Sequence, residues 1–377
     1  MYCGFYSTTA LEQRQRYVDA LCREMEIRSL ATGVGTIYLG GGTPSQLTIP
    51  QLKQIFEALY IYNKVEKDTE VTIEVNPDDV SVEFADMIQH FPINRVSMGV
   101  QTFDDARLQF LHRRHTARQA IEAISRLRAT GINNLSIDLM YGFPGETLAD
   151  WKADIEAALA LNVEHLSAYC LMIEEGTPLY RMLKQHNGDC PLCEQRSELQ
   201  GDCPQCVDEE TERSMYYTLI DRLTAAGYEH YEISNFAKKG FRSRHNSSYW
   251  NGTPYIGLGA AAHSYNIKSR SWNVADINAY IEGIEQGERR FEEEQLDGDT
   301  RYNDAVTVGL RTCEGLDLEN FSKKHQDYCM KNAHRYLDDG LLELATTDHK
   351  CLPCHRLRLT RRGLFVSDMV MSDLMMA

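Results

Sequence analysis

From residue 36 onward, short runs of β-branched and apolar residues alternate with longer segments whose apolar positions recur every three or four residues. The short runs read as six strands: "TIYLG" (36–40), "VTIEV" (71–75), "RVSMGV" (95–100), "LSIDLM" (135–140), "HLSAYCL" (165–171) and "YEHYEIS" (228–234). Between them, helices are expected over 50–61 with Thr48 as cap, over 116–130 ending at Gly131, and over 147–161. Such alternation calls for right-handed crossovers and a parallel sheet, and repeated units of this kind close fully or partly into a barrel. The fold class expected is therefore α/β, a partial (β/α)6 barrel with a small α+β C-terminal domain. An open doubly wound sheet is the alternative.

The placement of unusual residues favours the barrel, because in that architecture chemistry collects at the carboxyl ends of the strands. Gly40, Gly41, Gly42, Thr43 and Pro44 follow the first strand, and Glu74, Asn76 and Pro77 close the second. Gly99, Val100 and Gln101 end the third, Asp138 stands in the fourth before "MYGFPGET", Tyr169 and Met172 mark the fifth, and Ser234 and Asn235 the sixth. Each has an ordinary reading: a tight turn, a satisfied buried carboxylate, a helix cap. Their agreement on one face points to a polar, nucleoside-sized ligand, bound by exposed backbone groups and by carboxylate and amide side chains.

Composition narrows the picture. The 377 residues suffice for a large α/β domain and a smaller one. A net charge of −16 argues against a polyanion partner held by bulk charge, so no nucleic-acid partner is expected. No window approaches the ~20 apolar residues of a membrane helix, and the chain opens on "MYCGFYS" without a secretory leader. Eleven cysteines, several in C-x-x-C pairs, suggest metal or redox chemistry in a reducing cytoplasm.

The segments "YCGFYS", "YLGGGTPSQL", "IEVNPDD", "VSMGVQTFDD", "LHRRHT", "IDLMYGFPGET" and "HLSAYCLMIEEGTPL" resemble, in order, the radical S-adenosylmethionine proteins related to oxygen-independent coproporphyrinogen oxidase. The resemblance runs over nearly the whole chain. It implies a 4Fe-4S cluster held by C-x-x-x-C-x-x-C, three thiolates leaving one iron open for the methionine end of S-adenosylmethionine. Cys3 matches the third cysteine, which places the other two ahead of Met1 and leads us to expect that the chain starts inside the motif. A relative that has lost its cluster is the alternative.

Within the family, Phe5 matches the heme chaperone branch, HemW, where the oxidases carry a further cysteine. "HNSSYW" (245–250) matches the H-N-x-x-Y-W pattern of that branch and implies heme binding by His245, Tyr249 and Trp250. An imidazole is a good axial ligand for heme iron, and the aromatic rings can cover a porphyrin. Carried over residue by residue, Gly41, Gly42, Thr43, Glu74, Gln101, Arg113 and Asp138 imply an S-adenosylmethionine pocket, with Met172 and His263 as further lining. Reductive cleavage of that ligand to a 5'-deoxyadenosyl radical is the chemistry implied.

Residues 190–206, "CPLCEQRSELQGDCPQC", fall outside the resemblance. Two C-P-x-C knuckles are expected to make a tetrahedral zinc site of Cys190, Cys193, Cys203 and Cys206, with a redox dithiol pair or unliganded cysteines as alternatives. Cys351 and Cys354 form a further pair without assignment. The domain layout expected is a core over 1–185, the cysteine-rich insertion at 186–210, the end of the barrel with the heme motif at 211–270, a linker at 271–299, and a C-terminal domain at 300–377 with a winged-helix look. Its cluster Arg356, Arg358, Arg361 and Arg362 is read as a solvated hairpin.

The function expected is that of a cytoplasmic heme chaperone with a cluster and S-adenosylmethionine. It would pass heme to acceptor proteins, take electrons from a donor, and meet membranes only peripherally through those partners. Oxidative decarboxylation of coproporphyrinogen and radical modification of RNA are the alternatives.

Overall fold

The computed structural model describes residues 11–30, 32–41, 43–172, 177, 179–181, 207–345 and 356–376. The chain forms two units, residues 1–229 with 234–242, and residues 230–233 with 243–377.

The first unit is a curled sheet backed by helices. In chain order its elements are α1 (Arg14–Ile27), β1 (Gly33–Leu39), α2 (Ile49–Tyr62), β2 (Lys64–Val75), α3 (Val82–Ile88), β3 (Arg95–Gln101), α4 (Asp105–Phe110), α5 (Ala117–Ala129), β4 (Leu135–Tyr141), α6 (Leu148–Ala160), β5 (His165–Cys170), α7 (Glu209–Ala225), the first two residues of β6 (Tyr228–Glu232) and β7 (Asn235–Lys238). β1 to β5 are parallel neighbours in sequence order. The expected helices begin where their caps predict. Thr116 and Gln119 cap α5 reciprocally, as Thr147 and Asp150 cap α6, and Thr48 with Gln51 opens α2. Each such cap stabilises its helix by about 1 kcal/mol.

Strand alternation splits the sheet into two chemically opposite faces. Ile37, Ile73, Val96, Met98, Ile137 and Leu139 are buried on one, and the helices cover it: Trp151 of α6 stacks on Tyr141 at 5.1 Å and donates its indole N–H to the Met215 carbonyl of α7 at 3.1 Å. The other face carries Tyr38, Thr72, Glu74, Arg95, Ser97, Gly99, Ser136, Asp138, His165 and Ser167, which the parallel registers place side by side.

One strand corrects the expected topology. The sheet order is β1-β2-β3-β4-β5-β7-β6, and β7 pairs antiparallel with β5, Ser167 opposite Asn235 and His165 opposite Ala237. Two residues separate β6 from β7, far fewer than the dozen or so a parallel crossover requires. Asn235 is therefore a buried member of β7 and not part of a rim after the sixth strand.

The second unit holds α8 (Arg244–Trp250), an antiparallel sheet of β8 (His263–Tyr265), β9 (Ser269–Asn273) and β10 (Phe291–Gln295), and α9 (Ile277–Glu285). Residues 271–299, expected as a linker, thus carry regular structure: "FEEEQ" pairs along β9, and Asp276 caps α9. A C-terminal assembly follows: α10 (Gly298–Leu310), β11 (Leu316–Asp317), α11 (Lys323–Asp338), β12 (Leu342–Ala345), β13 (Arg356–Leu359), α12 (Arg361–Phe365) and α13 (Ser367–Leu374). Its core packs Tyr302, Leu310, Cys329, Tyr336, Leu357 and Val370 together. In the hairpin, Arg356 pairs with Asp317 at 3.2 Å and Arg358 pairs with Glu343, which neutralises half of the basic cluster. No described helix is long and apolar enough to cross a membrane.

Candidate functional site

The carboxyl ends of β1 to β4 meet in a polar mouth. The turn after β1 needs its glycines. A Cβ on Gly40 would lie 2.5 Å from the Tyr38 ring and 3.0 Å from the Glu74 carboxyl carbon, while Gly41 has φ +71°, where L side chains are strained. Tyr38 donates to Glu74 Oε1 at 2.7 Å, and the Gly41 N–H reaches Glu74 Oε2 at 3.3 Å. Ser45 and Gln46, just beyond the turn, donate to Asp79 and fasten it to the loop after β2. Thr43 is exposed at the turn's end.

Across the mouth, β3 ends in a bulge between Gly99 and Gln101. Gln101 takes φ +72° and is buried, a strained conformation held by its surroundings. The next residues are tied to α6, Thr102 donating to Asp154 at 2.6 Å and the Phe103 N–H at 2.9 Å, while the Arg107 guanidinium sits among Glu146, Asp150 and Asp154. Arg113 extends over Gly99 and donates to Asn76 Oδ1 at 2.9 Å. A Cβ on Gly99 would fall 2.8 Å from both Arg113 Nη2 and Gln101 Nε2, so the absent side chain is the space these two occupy.

Charge is concentrated here. Burial raises Glu74, with the Tyr38 hydroxyl and Gly41 N–H acting against it. Burial, and then the field of Glu74, pushes Asp138 up to about 6, opposed by a hydrogen bond from Ser167 and by Arg95 and Arg113. Two carboxylates, a guanidinium, a primary amide and open backbone over Gly41 suit an amine or sulfonium, hydroxyls and a carboxylate on one small molecule. Arg113 Nε is buried without a partner among the described residues, a donor for such a ligand to satisfy.

A second cluster lies in the second unit. Ser243 caps α8, which brings His245 and Tyr249 onto one face four residues apart, with His245 Nε2 3.0 Å from the Tyr249 hydroxyl. Tyr249 packs edge-on against Tyr255 at 4.7 Å and is 37% exposed, while Arg311 lies 5.1 Å over Trp250. One face of α8 thus sets an imidazole against Tyr249, whose ring packs in turn against Trp250 and Tyr255.

The structure brings Gly41, Glu74, Gln101, Arg113 and Asp138 to one mouth, with Thr43 at its edge. Met172 lies past β5, 68% exposed, and His263 stands in the second unit stacked on Trp272 at 5.8 Å. Gly42, Cys3, Cys190, Cys193, Cys203 and Cys206 lie outside the described residues, as do Cys351 and Cys354. Among the described residues no cluster of three metal-ligating side chains occurs. Sequence reading missed Tyr38, Ser167 and Arg95. Their signal was present in the polar member of each strand's alternation, which continues below Glu74, Gln101 and Asp138.

Fold and mouth together define a radical SAM protein: residues 1–158 match the radical SAM superfamily model and residues 296–366 the HemN C-terminal domain. Coproporphyrinogen III oxidase HemN from Escherichia coli has the same fold, with a TM-score of 0.77 over 99% of this chain and 86% of that one at 21% identity. Among curated relatives, the heme chaperone HemW of Bacillus subtilis is 34% identical over 330 residues, 86% of this chain and 83% of the relative. That of Mycobacterium tuberculosis is 32% identical over 99% of this chain and 91% of its own. The chain belongs to the HemW family.

Proposed function

We propose that this protein is a heme chaperone that binds heme on α8 and S-adenosylmethionine at the mouth, the latter against a 4Fe-4S cluster ligated in part by Cys3. The observation that carries the heme assignment is the His245 and Tyr249 pair on α8: Tyr249 is exposed and packs against Trp250 and Tyr255, and an imidazole nitrogen of His245 is turned toward a hydroxyl that a ligand can displace. Kinship with proteins named heme chaperones over most of both chains supports it.

At the mouth, Glu74 accepts from the amine of the ligand's methionine end, Arg113 pairs with its carboxylate, and Asp138 or Gln101 binds the ribose hydroxyls. Gly41, Gly42 and Thr43 let the backbone approach, and Met172 is assigned as outer lining. When bound, the cluster and its ligand supply reductive cleavage of a carbon–sulfur bond; the protein residues orient the ligand and keep water away from it. Heme passes from α8 to acceptor proteins in the cytoplasm, and a separate donor supplies electrons. Cys190, Cys193, Cys203 and Cys206 are assigned to structural zinc, which elemental analysis tests: absence of about one zinc per chain sinks it.

A heme titration decides between this reading and coproporphyrinogen oxidation, which the HemN-like C-terminal domain favours. A saturable Soret band, lost in His245→Ala, supports the chaperone. Turnover of coproporphyrinogen by the cluster-loaded protein, with no saturable heme site, replaces it with the oxidase.

A further inference from the structure

The three-stranded sheet of the second unit reverses the usual order of its faces. Along β8 and β9, Ser264, Ser269, Ser271 and Asn273 are buried, while on the opposite side Tyr265 and Trp272 are half-buried and His263 is exposed. The buried polar groups are built in: Ser269 donates to Glu293 at 2.6 Å and Asn273 to the Gly259 carbonyl at 2.8 Å. The antiparallel registers set His263 beside Trp272 and Tyr265 beside Arg270, so these four share the outer face. A sheet that hides serines and shows aromatic rings forgoes burial that its own core could have supplied, and its outer face is fitted to a further partner.

That face is continuous with the imidazole of α8. Tyr255 runs alongside Tyr265, the two exchanging backbone hydrogen bonds at 2.9 Å with their rings 6.1 Å apart. Tyr255 in turn meets Tyr249 at 4.7 Å, and Tyr249 meets His245 at 5.1 Å. A file of three phenol rings therefore leads from His245 onto the sheet. Burial raises the Tyr255 and Tyr265 hydroxyls, so both rings stay neutral, each an apolar body with a polar tip. On β10, Glu292 and Glu294 share the face beyond Trp272 and Arg270, and Arg270 is engaged by Glu294 at 3.0 Å and Asp304 at 3.1 Å.

We propose that Tyr255 and Tyr265 form a porphyrin-contact surface, so that the heme site extends from α8 onto the outer face of β8. The inference rests on the reading of α8 as the heme site. Continuity with His245 makes the occupant a flat aromatic macrocycle and not a peptide. Glu292 and Glu294 repel the propionates from the β10 side, which confines the macrocycle to the half of the face next to α8. The imidazole selects the iron and the phenol rings select the ring around it, so part of the affinity is independent of the metal.

The test uses the full chain and two probes, heme and metal-free protoporphyrin, the second having no iron for an imidazole to ligate. Fluorescence titration shows saturable protoporphyrin binding to the wild type. Tyr255→Leu or Tyr265→Leu weakens binding of either probe by about 3- to 10-fold, and the two together by about 10- to 100-fold, the worth of one and two ring contacts. The heme Soret maximum of these variants stays at its wild-type wavelength, because the axial ligand is untouched, whereas a change that merely distorts α8 moves it. Tyr255→Phe and Tyr265→Phe restore the affinity.

Protoporphyrin binding that is unchanged in the leucine pair, or absent from the wild type, overturns the proposal and leaves this face to a protein partner. If heme gives no saturable Soret band, the reading of α8 fails on its own, and the protoporphyrin titration still decides the surface. Where the leucine variants do not fold, NMR of the wild type decides: the ring current of added protoporphyrin shifts the Tyr255 and Tyr265 ring resonances, and unmoved resonances refute the contact.

Discussion

Replacing Asp138 by asparagine should stabilise the first unit at alkaline pH. Asp138 is held at about 6 against an ordinary 3.8, chiefly because burial disfavours the carboxylate. A group that binds its proton more tightly when folded makes stability fall as pH rises between its unfolded and folded values, and the full cost stands above the folded value. At ~1.36 kcal/mol per pH unit the gap between about 6 and 3.8 is worth about 3 kcal/mol near pH 8 and roughly half that near pH 5. Asparagine keeps an oxygen for the Ser167 hydroxyl and carries no charge to desolvate. Asp138→Asn should therefore gain about 1–3 kcal/mol at pH ~8, a rise of several degrees in the melting temperature of a unit this size, with a smaller gain at pH ~5. Thermal unfolding of the two proteins across this range checks it, hydrogen exchange at the β4 amides reporting on the first unit alone. A loss of stability at pH ~8, or an equal gain at both pH values, would refute the account of Asp138 as a charge kept at a cost for ligand binding.

Gly99→Ala should leave the melting temperature nearly unchanged, since the added methyl meets only the mobile ends of Arg113 and Gln101 at 2.8 Å. It should weaken S-adenosylmethionine binding by about 10- to 100-fold as Arg113 is displaced, the worth of one charge-assisted hydrogen bond; calorimetry beside a melting curve separates the two effects. Trp151→Phe should lose about 1–2 kcal/mol, from the bond to the Met215 carbonyl at 3.1 Å and some packing, whereas Trp151→Ala should lose about 3–5 kcal/mol. Near-equal melting temperatures for these two variants would deny Trp151 its place between sheet and helices.

The sequence by itself determined the parts whose cause is local. Helix starts at Thr48, Thr116 and Thr147 were legible because a cap and its partner lie three residues apart. The first five strands were legible because each alternates apolar and polar positions. Most of the mouth followed, since parallel strands in sequence order bring their carboxyl ends together whatever the details of packing. The tertiary structure decided what depends on which segments become neighbours. β7 inserts between β5 and β6 because a two-residue connection forces a return, and that takes Asn235 out of the rim and into the sheet. Residues 271–299 become strands and a helix because β9 offers an edge for "FEEEQ" to pair with. The alternation in "RVSMGV" put Arg95 on the polar face, but only the tertiary structure decided that this face is closed there, leaving the arginine 2% exposed with Nε and Nη1 without a hydrogen-bond partner among the described residues, because burial depends on which strands lie alongside.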